Sequence, residues 1–460
     1  MAEETYELIV VGAGQGGDPL TRSFAKAGKK VALIERLAVG GTCVNRGCTP
    51  TKTMAASARV AYLARRGADY GVQTGPVTVD MAKVRDRKRA IVDEFREGTE
   101  KKIEAIDGLT LIYGDATFTG PKTVEVAPNG GGEMRTLTAP LIVINTGARA
   151  TVPPIEGLDS VPFLDSTSIM EVSEVPAHLV VLGGSYIALE FGQMFRRFGS
   201  EVTILEKSAQ LLGHEDPDVA EEMQKILTED GLKIHTGVSA KRVATAEGGV
   251  TVTLEDGIEV TGSHLLLAVG RTPNSEGLGL DAAGVEMDDK GLITVSDTLE
   301  TTQPGVYVIG DIKGGPQFTH ISYDDFRILE ANLLKDGHRT VKDRQVPYTV
   351  FTDPQLGRVG MTETEAKKAG KTVKVATLPM TEAARALETD ETRGLMKAVV
   401  DAGSGQILGA AIIGVEGGET MAALEVAMMG KLPYTALRDA TLAHPTWAES
   451  LNNLFMTLDE

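Results

Sequence analysis

The chain has 460 residues, sets 46 basic against 64 acidic side chains for a formal charge of −18, and is 42% hydrophobic and 24% charged. At ~150 residues per domain this is enough for roughly three domains with large cores, and the acidic balance argues against a nucleic-acid backbone or an anionic membrane surface as partner. Two cysteines, Cys43 and Cys48, exclude a disulfide-stapled secreted scaffold, and the 52 glycines exceed the usual ~7%, pointing to many tight turns and close backbone approaches.

Residues 1–5 are acidic and lead straight into a strand, and no apolar run approaches the ~18 residues of a membrane span, so a cytoplasmic chain without a signal peptide is expected. Residues 6–11 read as a buried parallel strand. It runs into Gly12, Gly14 and Gly17 in a G-x-G-x-x-G array, followed by a helix to about Gly28 and a second strand at 31–34 that ends at Glu35. Gly12 permits the tight turn, Gly14 lets a pyrophosphate approach the backbone, and Gly17 brings helix and strand together. The helix N-terminus offers free N–H groups to the phosphates. Glu35, 23 residues after Gly12, can accept hydrogen bonds from an adenosine ribose. A glycine loop alone is weak evidence; strand, loop, helix, strand and acid in order define a dinucleotide unit.

Cys43 and Cys48 follow at once. Pro50 suits the first turn of a new helix, which puts Cys48 at a helix N-terminus, where the dipole favours thiolate. Three readings stand: a zinc pair, two inert buried thiols, or a redox-active pair. Zinc needs further ligands, and there is neither a third cysteine nor a closely spaced histidine pair among the seven histidines, so no resident metal site is expected. The redox reading is preferred because a dinucleotide unit lies immediately upstream. Beyond it, 81–106 reads as a charged helix with a solvated face, 109–126 as small strands and 129–132 as a hairpin tip.

The dinucleotide pattern then recurs at an offset of 171: a strand at 179–182, Gly183, Ser185 and Ala188 in the three loop places, a helix, a strand at 202–205, and Glu206. Two dinucleotides in one chain argue for electrons passing between them. A carboxylate at Glu206 binds a ribose 2′-OH and repels a 2′-phosphate, favouring NAD(H) over NADP(H), although Lys207 beside it weakens the bias. Near the end of the chain, His444 and Glu449 make a base and the carboxylate that orients it.

With these motifs the chain resembles the FAD-dependent pyridine-nucleotide disulfide oxidoreductases, the family of lipoamide dehydrogenase, glutathione reductase and mercuric reductase, from Tyr6 to the C-terminus. Residues 41–52 are similar to the family's redox-disulfide signature. Thr146 with Gly147, and Gly270 with 271–274, resemble its two crossings between FAD and NAD domains. Asp311 after Gly310 matches its second FAD motif, 346–354 the entry to the interface domain, and 444–449 the terminal His-Pro-Thr-x-x-Glu. The resemblance implies FAD held by Gly12, Gly14, Gly17, Glu35, Gly41, Thr42, Thr146, Gly147 and Asp311. It implies NAD(P) held by Gly183, Ser185, Tyr186, Ala188, Glu206 and Gly270, with Tyr186 as an aromatic gate over the nicotinamide pocket. It further implies a Cys43–Cys48 disulfide in which Cys48 faces the flavin and Cys43 is the exposed thiol that attacks substrate. Lys52 would face the flavin with Glu190 as its partner. A homodimer would supply His444 from the other subunit, with Glu449 orienting it.

The expected fold is α/β, with two Rossmann-like dinucleotide-binding domains and a C-terminal α+β dimerisation domain. Residues 1–150 form the FAD domain with the redox disulfide, 151–270 the NAD(P) domain, 271–345 a central region completing the FAD site, and 346–460 the interface domain. The tail has no cysteine, so the second pair usual in mercuric reductases and large thioredoxin reductases is missing. The run 317–325, the ending 449–455 and the Ser185 and Ala188 replacements are closer to the mercuric-reductase-like branch, which includes the reactive-chlorine resistance flavoprotein, than to lipoamide dehydrogenases. The expected activity passes electrons from NAD(P)H through FAD to the disulfide and on to a small-molecule disulfide or a metal ion. The alternative is a dihydrolipoamide dehydrogenase that oxidises the dithiol of a lipoyl carrier domain with NAD.

Overall fold

A computed structural model describes residues 3–342 and 344–459, so Met1, Ala2, Asp343 and Glu460 lie outside it. The chain forms two compact units, each assembled from three stretches: Met1–Thr53, Arg85–Thr151 and Gly270–Arg344 in one, Met54–Val84, Val152–Val269 and Gln345–Glu460 in the other.

The first unit is built on an eight-stranded sheet. Its parallel part orders Leu109–Gly120, Val31–Glu35, Leu8–Val11, Leu141–Ile144 and Val306–Val308 side by side. Leu8–Val11 is buried at every position, as a strand covered on both faces requires. One face packs Leu20, Phe24 and Ala25 of the helix Gly17–Lys26 against Phe326, Ile328 and Leu329 of the helix Thr319–Leu334. Leu109–Gly120 continues beyond the parallel layer and pairs antiparallel with Thr123–Pro128, which in turn pairs with Arg135–Thr138. Val124, Val126 and Leu137 are fully buried beneath that extension, and 129–134 is the hairpin connection within it.

The second unit contains the repeat. Lys233–Thr236, Glu201–Glu206, His178–Leu182 and His264–Leu267 form a four-stranded parallel sheet, beside a three-stranded antiparallel sheet of Ala240–Ala246, Gly249–Leu254 and Glu259–Gly262. Its C-terminal part is α+β. There, Tyr348–Val350, Gln355–Gly360, Ile407–Gly414, Leu395–Asp401 and Val373–Pro379 form an antiparallel sheet, and Leu424, Leu451, Leu454 and Phe455 from the helices Gly417–Met429 and Ser450–Met456 close its core. The fold is therefore α/β with two dinucleotide-type parallel sheets and a C-terminal α+β domain. Among the described residues no helix is long and apolar enough to cross a membrane.

Candidate active site

The first glycine loop is shaped by contacts that leave no room for side chains. Gly12 has φ +106°, and a Cβ there would lie 2.3 Å from the Asn145 carbonyl oxygen; one on Gly17 would lie 2.2 Å from the Gly12 oxygen. A Cβ on Gly41 would meet the Gly14 Cα at 2.7 Å, so the turn before the cysteines presses directly on the loop. The Asn145 side-chain amide donates to the Gly12 carbonyl at 3.0 Å. Glu35 ends its strand with both carboxylate oxygens engaged: one accepts from the Ala13 N–H at 2.9 Å, the other from the Leu37 and Ala38 N–H groups at 2.8 and 3.2 Å. A bare-backbone loop ahead of a helix, with a fixed carboxylate at the end of the next strand, fits the phosphates and ribose of a dinucleotide.

The second loop repeats this geometry. Gly183 has φ +111°, and its Cβ would lie 2.3 Å from the Ala268 oxygen. Ser185 is the exposed N-cap of the helix Tyr186–Phe198, Tyr186 is half-buried, and Ala188 is fully buried, so here a methyl fits where the first loop admits only hydrogen. Glu206 accepts from the Ser208 N–H at 2.6 Å, the same backbone restraint that holds Glu35.

The first unit also gathers the crossing residues. Thr146 donates to the Asn274 carbonyl at 3.0 Å, and the Asn274 side chain and N–H donate to the carbonyls of Thr146 and Gly147 at 2.8 and 2.9 Å. The Gly270 carbonyl accepts from the Thr151 N–H at 3.0 Å, where Ala148–Ala150 and Arg271–Pro273 pair antiparallel. Asp311 opens a short 3₁₀ turn, Asp311–Lys313. Burial pushes its carboxyl above the usual range, opposed by Arg271 and Lys313. Sequence reasoning missed what pins this turn. The buried Asp325 accepts from the Gly310 N–H at 2.9 Å and pairs with Lys313 at 3.1 Å and Arg344 at 2.7 Å.

The two cysteines stand on consecutive helices. Cys43 lies in Gly41–Arg46, a short helix with no counterpart in the sequence reading, next to the exposed Thr42; Cys48 opens Cys48–Arg65. Asn45 fixes the short helix by donating to the Val39 and Gly41 carbonyls, both at 2.9 Å. Both sulfurs are free thiols. Cys48 is the exposed one and Cys43 is half-buried, because Cys43 sits inside a helical turn while Cys48 stands at the open start of the next.

Their electrostatics are opposed. The Cys43 thiol donates to the Cys48 sulfur, which draws Cys48 down to about 6 against the effect of burial; Thr319, Lys52 and the helix backbone act in the same downward direction. The same hydrogen bond, then burial and the charge on Cys48, push Cys43 well above the ordinary thiol range. Thr319, at the start of Thr319–Leu334, places its hydroxyl 3.1 Å from the Cys48 sulfur. Sequence reasoning singled out 317–325 for its likeness to one branch and missed Thr319 as a thiol partner.

The remaining expected residues belong to the second unit. His444 Nδ1 lies 2.8 and 2.9 Å from the two oxygens of Glu449. The Glu449 N–H donates to the Thr446 hydroxyl at 3.2 Å, which sets the carboxylate just ahead of Ser450–Met456. The carboxylate accepts a hydrogen bond from Nδ1–H in the tautomer that leaves Nε2 free to accept a proton. Glu190 is buried and accepts from the Phe351 N–H at 2.9 Å.

Paired thiols beside a dinucleotide loop, a second loop of the same build, and an oriented imidazole define a flavin- and nicotinamide-dependent thiol–disulfide enzyme. The chain belongs to the pyridine nucleotide-disulphide oxidoreductase family, whose profile matches residues 6–325 and whose dimerisation-domain profile matches residues 346–455. It is 38% identical over 455 residues to the probable pyridine nucleotide-disulfide oxidoreductase RclA of Escherichia coli K12, covering 98% of each chain. Identity to a mercuric reductase of Staphylococcus aureus is 36% over 460 residues, covering 99% of this chain and 83% of that one. Among solved structures, the Cu(II) complex of the HOCl-induced flavoprotein disulfide reductase RclA from Escherichia coli matches with a TM-score of 0.91 at 36% identity, covering 98% of this chain and 99% of that one. The family implies FAD and a pyridine nucleotide as cofactors, and the dimerisation domain implies a homodimer.

Proposed function

We propose that the chain is a cytoplasmic reductase that takes electrons from NADH, in preference to NADPH, and delivers them through Cys43 and Cys48 to a small disulfide or a metal ion. The observation that carries this reading is the placement of the two cysteines on consecutive helices against the first glycine loop, where a Cβ on Gly41 would meet the Gly14 Cα and Cys48 opens Cys48–Arg65. FAD would be held by Gly12, Gly14, Gly17, Glu35, Gly41, Thr42, Thr146, Gly147 and Asp311, and when bound it supplies the electron relay between nicotinamide and disulfide. NADH would be held by Gly183, Ser185, Ala188, Glu206 and Gly270, with Tyr186 over its ring. Cys48 is the flavin-side thiolate, and Lys52, with Glu190 as its proposed partner, stabilises negative charge there. Cys43 attacks substrate. A thiol raised above the ordinary range needs a base, and His444 of the second subunit, oriented by Glu449, is that base. The names of the relatives, one a mercuric reductase and one solved with Cu(II), support a metal ion among the substrates. With no third cysteine in the chain, such an ion would meet Cys43 and Cys48 directly.

Assays on the FAD-loaded protein test the reading: NADH oxidation with Cu(II), Hg(II) and small disulfides, against NAD reduction by dihydrolipoamide. The first set should turn over, with kcat/KM higher for NADH than for NADPH, and Glu206→Ala should narrow that gap. Rapid dihydrolipoamide turnover with no response to metal ions or disulfides would replace this reading with a lipoamide dehydrogenase.

A further inference from the structure

We propose that Thr319 keeps Cys48 ready as the resolving thiolate while Cys43 is bonded to substrate, an inference that rests on the reductase reading above. The Thr319 hydroxyl lies 3.1 Å from the Cys48 sulfur and reaches it from a helix 271 residues further along the chain. In the dithiol state that sulfur has two side-chain donors, the Cys43 thiol and the Thr319 hydroxyl. Only one of the two survives turnover.

With a disulfide R–S–S–R as substrate, Cys43 loses its proton to the base and its sulfur attacks. A Cys43–S–R bond forms, the R–S–S–R bond breaks, and the departing R–S⁻ takes that proton. The mixed disulfide has no S–H to donate, so the strongest restraint on Cys48 is gone at the moment when Cys48 must act. Cys48 then attacks the Cys43 sulfur, the second R–S⁻ leaves and is protonated from solvent, and the Cys43–Cys48 disulfide closes. Two electrons have passed from the dithiol to R–S–S–R. Attack needs the thiolate. Between the two steps the Thr319 hydroxyl is the donor that remains on the sulfur, supported by the Lys52 charge and the N-terminus of Cys48–Arg65. Threonine suits this task. Its hydroxyl donates without titrating, and its branched side chain is stiff about χ1.

The test uses the full-length, FAD-loaded enzyme. Cys43→Ala removes the first donor as the mixed disulfide does, and it leaves Cys48 as the single thiol of the chain, so iodoacetamide alkylation reports on Cys48 alone. In Cys43→Ala the alkylation rate should inflect below the ordinary ~8.5 of a free thiol. Adding Thr319→Val should raise the inflection by about one unit, leaving roughly tenfold less thiolate at neutral pH, and Thr319→Ser should restore it, with flavin content unchanged across the set. An inflection indifferent to Thr319→Val, or one that Thr319→Ser does not restore, overturns the role of Thr319 alone. If Cys43→Ala with Thr319 in place shows no inflection below the ordinary range, the thiolate assignment itself fails and Thr319 with it. The two failures are therefore distinguishable.

Discussion

Cys43 and Cys48 are chemically identical side chains five positions apart, yet their surroundings drive their protons in opposite directions. The sign of the pH response follows. Cys48 becomes thiolate as pH rises through about 6 and is protonated again below it. Two-electron reduction of the FAD-loaded enzyme should therefore produce a long-wavelength thiolate–flavin absorbance that is full at neutral pH and half lost near the Cys48 value on acidification. Cys48→Ser should abolish the band at every pH, whereas Cys43→Ala, which has no disulfide to accept the electrons, should show it before any reductant is added. Survival of the band in Cys48→Ser would reverse the assignment of the two sulfurs. Part of this site was legible because it is local. The position of Cys48 at a helix start follows from Pro50 two residues on, and Glu449 lies one short turn beyond His444. Thr319 and Asp325 were not legible, since each meets its partner through the packing of Thr319–Leu334, and no spacing near Cys48 or Asp311 encodes that.

At the scale of elements, the repeat offset of 171 in the sequence corresponds to one steric device used twice. In each loop the first glycine adopts a positive φ and turns its α-carbon toward the carbonyl just past the neighbouring parallel strand, so that an added Cβ would approach it to 2.3 Å. Strain of order 1–3 kcal/mol from the backbone alone is expected for alanine there, before the clash is counted. The two substitutions should nevertheless differ in what they remove. Gly12→Ala should purify largely colourless, with a melting temperature several degrees lower, because it damages the proposed FAD loop. Gly183→Ala should keep its flavin and reduce normally with dithionite but poorly with NADH. A yellow Gly12→Ala enzyme with normal NADH kinetics would refute the assignment of the first loop. The parallel strands could be read directly because apolar runs such as Leu8–Val11 and Leu141–Ile144 have no polar face to place. What escaped is the dual membership of Leu109–Gly120: its 12 residues serve the parallel layer first and an antiparallel extension afterwards. Alternation alone marks it as strand but does not say where one partner gives way to the next.

At the scale of the whole molecule, His444 presents a sharper question. Its side chain is 66% exposed while Glu449 holds one face of the ring, so the chain orients a base at its surface. That base lies in the segment matched by the dimerisation domain, whose helix Gly417–Met429 also leaves Val426 and Met429 exposed. The motif itself is local and legible; the dimer that gives it meaning was legible only through resemblance. If the base serves the thiols of the other subunit, each active site is shared, and two inactive chains can complement one another. Co-expression of Cys43→Ala with His444→Ala in equal amounts makes half the dimers mixed. In a mixed dimer one site carries both defects and the other carries neither, so about one quarter of wild-type activity should return. If each chain used its own histidine, the mixed dimer would have no intact site, and activity would stay at the level of the two parent variants. Purifying the mixed dimer by separate affinity tags raises the expected recovery to about one half per dimer. Measuring that value against the inactive parents decides whether this surface imidazole belongs to its own chain's chemistry or to its neighbour's.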